Sequence, residues 1–191
     1  MTRLSVLGGC LFLLVSSGGA AWAQKPPPAS SAQQAEPSPK VVVPDAGTWD
    51  VKQSDSKDGG AFCQLEGTFS DGRKLALLTG QRTYPHHTLM VEETSWPDMT
   101  GENIKLIFQS AKAEKWQQSY TMFGANDTLS TTLDMDDLRI LFTGLSHSGW
   151  LVIGFPTGDE DTWVISMVGF MEKAKDFREC VSRVTEIEGA I

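Results

Sequence analysis

The residues of this 191-residue chain suited to chemistry are three histidines, two acidic clusters and a set of tryptophans. A hydroxyl or thiol nucleophile needs a base beside it. Ser146-His147-Ser148 supplies both types, but Gly144 and Gly149 enclose the triplet, which suits an exposed turn better than a catalytic site. His86-His87 can begin a metal site with Glu92 or Glu93, yet neighbours in a strand face opposite ways, and no HxH or HExxH spacing supports them. The pair therefore reads as a solvated loop. Asp134/Asp136/Asp137 and Asp159/Glu160/Asp161 carry the oxygens calcium prefers. Neither follows the twelve-residue calcium loop, and helix capping and turn formation account for both. No catalytic residue, metal or cofactor is expected.

Tryptophans on an exposed sheet face stack on sugar rings, and Trp49, Trp96, Trp116, Trp150 and Trp163 are many for one domain. Trp49 and Trp163 alternate with Val51 and Ile165, as inward-facing residues do. Trp96, before Pro97 at a strand exit, and Trp116 are the candidate binding residues.

The start of the chain sets the compartment. Residues 1–23 read as a secretory signal: Arg3, an apolar run from Leu4 to Val15, and small residues ending at Ala23. The apolar run is too short to span a bilayer, and cleavage is expected before Gln24. Leu7-Gly8-Gly9-Cys10 resembles a lipoprotein box, but most of the apolar run follows Cys10 instead of preceding it. Residues 24–45, rich in Pro, Ala and Ser, read as a disordered linker with too little apolar surface to offset the entropy of ordering. Residues 46–191 are the size of one domain. Without the signal, 15 basic residues face 24 acidic ones, a net charge of −9. That excludes a nucleic-acid partner and disfavours anionic lipid. Loss of Cys10 leaves Cys63 and Cys180, which in an oxidising compartment form the sole intramolecular disulfide open to the chain.

The elements that must position these residues are mostly strands. Period-two apolar patterns predict strands at 48–53, 61–69, 74–79, 88–94, 103–110, 115–123, 128–133, 150–155 and 162–168. Asp134 caps a helix carrying Leu138, Leu141 and Phe142, and a C-terminal helix carries Phe170, Ala174, Phe177, Val181 and Val184 beside Cys180. The expected fold is mainly β, an antiparallel β-sandwich-like single domain with two short helices, one of them C-terminal.

Trp49-x-Val51, Cys63, FSDGRKL, TSWPDMTGE, the DLRILFTG helix and the closing FRECV are similar to a small cysteine-bridged β-rich domain of exported proteobacterial proteins. More distantly, they resemble the invasion-associated locus B family. The resemblance spans most of 48–181 and implies a β-sandwich-like periplasmic fold, with host interaction by family analogy and no catalytic residues to carry over. The expected function is that of a non-enzymatic periplasmic or secreted protein that binds an envelope or host protein, without an integral membrane segment after processing. The alternative is a carbohydrate-binding or hydrolase-accessory module that takes a glycan through Trp96, Trp116 and the acidic turns.

Overall fold

The computed structural model describes residues 45–57, 60–111, 116–157, 160–189 and 191, so the expected signal and the linker before Asp45 lie outside the described residues. Nine strands and two helices follow in order: β1 Thr48–Ser56, β2 Gly60–Thr68, β3 Arg73–Gly80, β4 His87–Glu93, β5 Asn103–Ser110, β6 Gln117–Ala125, β7 Thr128–Leu133, α1 Met135–Ser146, β8 Trp150–Gly154, β9 Trp163–Ser166 and α2 Phe170–Thr185. The strands form one antiparallel sheet in the order β1-β2-β3-β4-β7-β6-β5-β8-β9. The mainly β, antiparallel expectation with two helices is met, and each expected strand is present with its ends moved by a few residues.

Alternation decides which face is buried. Cys63 and Leu65 of β2, Leu75 and Leu77 of β3, Leu89 and Val91 of β4, and Leu106 and Phe108 of β5 point inward, and all are buried. The two layers expected of a sandwich are two halves of this one sheet. Leu75, Leu77 and Leu89 from one half share a void of about 10 Å³ with Phe108 from the other, beside Leu141, Leu145 and Phe170 of the helices.

The curl is closed by the backbone. Asp45, just ahead of β1, donates its N–H to the Val164 carbonyl (2.9 Å) and accepts from the Ser166 N–H (2.8 Å). This parallel bridge to Ile165 joins the chain before β1 to the far edge of the sheet. The Asp45 carboxylate accepts from the Ser70 N–H (2.6 Å) and hydroxyl, and the Trp49 indole N–H donates to the Ser166 carbonyl at 3.4 Å.

Both helices lie on the inner side. Asp134 caps α1, its Oδ1 accepting from the Asp136 and Asp137 N–H groups at 2.9 and 2.8 Å. Leu138, Leu141 and Leu145 are buried, and Phe142 meets Phe170 and Phe177 of α2 at ring distances of 5.8 and 6.4 Å. α2 starts at Gly169, whose φ of +84° suits glycine, and buries Phe170, Ala174, Phe177, Cys180, Val181 and Val184. Cys180 is bonded to Cys63 of β2, with Cα atoms 6.0 Å apart and a separation of 117 positions in sequence. Bridging so long a loop restricts the unfolded chain, a contribution of up to roughly 4 to 5 kcal/mol in the chain-entropy picture. The double variant Cys63→Ala/Cys180→Ala is expected to lose about 2–4 kcal/mol of unfolding free energy in urea titration; an unchanged midpoint would show that packing alone holds α2.

Candidate functional site

Inward alternation carries polar residues as well as apolar ones. Arg73 lies two residues before the inward Leu75, and Glu93 two after the inward Val91, so both belong to the inner face. The register pairs them directly across β3 and β4, with Arg73 Nε 3.3 Å from Glu93 Oε2. Glu93 is buried, and its second oxygen accepts from the Ser95 hydroxyl at 2.7 Å. The Arg73 guanidinium lies 5.1 Å from the Trp163 ring centre, and its Nη2 is 3.8 Å from Glu160 Oε1. Glu160 holds two indoles at once: Oε2 accepts from Trp96 Nε1 (2.8 Å) and Oε1 from Trp163 Nε1 (2.9 Å). The rings stack at 5.6 Å and 25°, with Phe155 edge-on to Trp96 at 5.9 Å.

Beside this cluster is a groove of about 370 Å³, walled by Trp96, Pro97, Met99, Ile104 and Phe155, with Ser95, Thr157 and Glu160 as its polar lining. That size and lining suit one or two apolar side chains or a small ligand. A shallower groove of about 290 Å³, lined by Ile107, Val152 and Pro156, meets it at Phe155.

Trp96 is thus half-buried and fixed, stacked on Trp163 and lining the groove. Trp116 shares no groove or ring contact with it. Its ring lies flat against α1, where a Cβ on Gly144 would come within 2.1 Å of the indole. The Trp116 Nε1 and the Tyr120 hydroxyl are buried without hydrogen-bond partners among the described residues. Burial, with the Asp137 carboxylate adding to it, pushes the Tyr120 phenol up to about 12. The two tryptophans form no coplanar platform. Trp49 and Trp163 are buried as their alternation predicts, and Trp150 is exposed.

The histidines divide. His87 is not solvated as expected: it opens β4 on the inner face and is 1% exposed. Its Nε2 lies 3.1 Å from the Met135 sulfur and its Nδ1 2.6 Å from the Thr79 hydroxyl. A thioether only accepts, so Nε2 carries the proton and Nδ1 accepts from Thr79. Burial, with His86 next to it, lowers the imidazole to about 4. This buried hydroxyl–imidazole pair is sealed from substrate. His86 is exposed, as expected of a loop. His147 caps the end of α1, its Nδ1 2.8 Å from the Thr143 carbonyl, so that nitrogen donates and cannot take a proton from Ser146, 3.1 Å away. Ser148 departs from the exposed turn: it is buried, and its hydroxyl donates to the Gly144 carbonyl at 2.7 Å. Among the described residues no three His, Cys, Asp or Glu side chains gather around a common metal position. Of the acidic clusters, Asp134 caps α1, Asp136 pairs with Arg139, and Asp159 lies outside the described residues. Glu160 serves the indoles, a role the acidic-turn reading missed. The signal was present in Arg73 and Glu93, charges at inward positions of otherwise apolar strands. Compared with known proteins, the chain matches no family model, no curated protein and no solved structure.

Because the folded His87 titrates near 4 and an unfolded histidine near 6.5, the unfolded chain alone gains a proton between those values. The stability that a neutral His87 supplies is therefore complete above about pH 6.5 and is lost as pH falls toward about 4, by no more than about 3 kcal/mol. Urea titrations across that window should show the decline, and His87→Gln should flatten it. Glu160→Ala leaves two indole N–H groups without an acceptor and should cost about 2 kcal/mol. The same variant should weaken the near-ultraviolet circular dichroism of the Trp96–Trp163 stack; an unaltered spectrum would remove Glu160 from its assigned role.

Proposed function

We propose that the chain is an exported, non-enzymatic binding protein of the bacterial envelope, periplasmic or released, that holds an envelope or host protein by seating an apolar side chain in the Trp96 groove. The carrying observation is the groove itself: largely apolar walls and a tryptophan locked in place by Glu160. Such a surface is preorganised, so little side-chain entropy is lost when a partner arrives. Export is supported by residues 1–23 and by a buried cysteine pair that suits an oxidising compartment. Among the described residues no helix is long and apolar enough to cross a membrane. The likeness to the invasion-associated locus B family belongs to the same proposal and rests on the residues quoted above. A glycan platform is less well supported, because Trp163 covers one face of Trp96 and α1 covers Trp116.

The test is a photo-crosslinking amino acid at Pro97, on the exposed rim, carried in living cells by the full chain. The exported form should begin at Gln24 and give a discrete protein adduct that Met99→Glu abolishes. Recovery of glycan or peptidoglycan adducts alone would overturn the reading, as would a protein adduct indifferent to Met99→Glu.

A further inference from the structure

The charges around the Trp96 groove are one-sided. Glu160 lines it, and Asp98 and Asp161, both exposed, adjoin lining residues Pro97, Met99 and Glu160 in the chain. Arg73 is the one cation paired with the cluster among the described residues, and it is already shared between Glu93 and Glu160. One positive charge against those two carboxylates leaves −1, and Asp98 and Asp161 bring the region to −3. Lys105 follows the groove residue Ile104 but alternates to the outer face of β5. The Asp98 carboxyl is held below its usual range by the Thr100 hydroxyl and N–H.

We infer that the groove is specific for a basic peptide segment, an apolar anchor residue flanked by lysine or arginine, with the anchor against Trp96, Met99 and Ile104 and the flanking cations on Asp98 and Asp161. This rests on the groove-binding reading and adds the chemistry of the partner. Rim charges of this kind act on encounter and selectivity more than on total affinity, and salt screens them. An acidic segment would instead meet uncompensated carboxylates, which rejects it.

The experiment uses fluorescein-labelled hexapeptides with a Leu-Phe centre flanked by lysines, glycines or glutamates, titrated with the full exported chain. The lysine peptide should bind roughly three- to tenfold tighter than the glycine peptide at low salt, and the glutamate peptide weakest. That preference should collapse at high salt and in Asp98→Asn/Asp161→Asn. Asparagine at 98 keeps the side-chain oxygen that accepts from the Thr100 N–H at 2.9 Å, so the local turn is retained. Equal binding of all three peptides, still abolished by Met99→Glu, would overturn the basic specificity and leave the groove reading standing. If no peptide shows binding sensitive to Met99→Glu, the groove reading falls and this inference falls with it.

Discussion

A nine-stranded antiparallel sheet has two edges, and the fold depends on bringing them together. Asp45 does this with two backbone hydrogen bonds to β9, while its carboxylate reaches the Ser70 backbone. Trp49, Phe69 and Ile165 are buried beside that junction, with Trp49 packed edge-on against Phe69 and Phe170. Closure also fixes the sense in which the helices fill the trough. α2 must run under β1 to β3, where Cys180 finds Cys63 and packs near Gln53, and α1 must cover β5 and β7. The disulfide and the Asp45 bridge act at different places on the same problem, one tying the last helix to an early strand and the other tying the first strand to the last.

Closure brings with it buried charge. Arg73 and Glu93 face each other across β3 and β4 on the inner face, where transfer from water is unfavourable unless every oxygen and N–H finds a partner. Ser95 donates to one oxygen of Glu93 and Arg73 Nε to the other, while the partly exposed guanidinium lies within ion-pair distance of Glu160, which itself accepts from two indoles. An Arg–Glu pair in this position is weak evidence for stability. Its consequence is geometric: the β8–β9 connection is held against the strand exit at Trp96, and the groove exists because those two segments are pinned at a fixed spacing.

The strands were legible because period two is a strong signal where one face is buried: Cys63-x-Leu65 and Leu75-x-Leu77 can only point one way together. Asp134 was legible as a cap, and the Cys63–Cys180 pairing followed from arithmetic on the cysteines. The candidate site was not. Residue type and the strand exit before Pro97 point to Trp96, and residue type alone to Trp116, yet the first is anchored from a residue 64 positions away and the second is covered by a helix glycine, both facts of tertiary packing. The solvated-loop reading of the pair fails at His87 because that residue already sits at the inward register of Leu89. Continuing the alternation backward from Leu89 would have buried it, and continuing it forward from Val91 would have flagged Glu93.

The outer surface narrows where a partner can bind. On β1 to β4 it carries a ladder of opposite charges, Lys52 with Glu66 and Lys74 with Glu92, each pair weakly stabilising. The edge of β1 is guarded as well: the Asp50 side chain accepts from the Val51 N–H at 2.8 Å, and Lys52 and Asp55 stand exposed along it. Charges and self-capped N–H groups of this kind block an added strand. A partner that extended the sheet at β1 would have to displace the Asp50 bond and desolvate Lys52, whereas one entering the Trp96 groove meets apolar walls already in place. The difference lies in what must be broken before anything is gained, and it favours the groove over the edge.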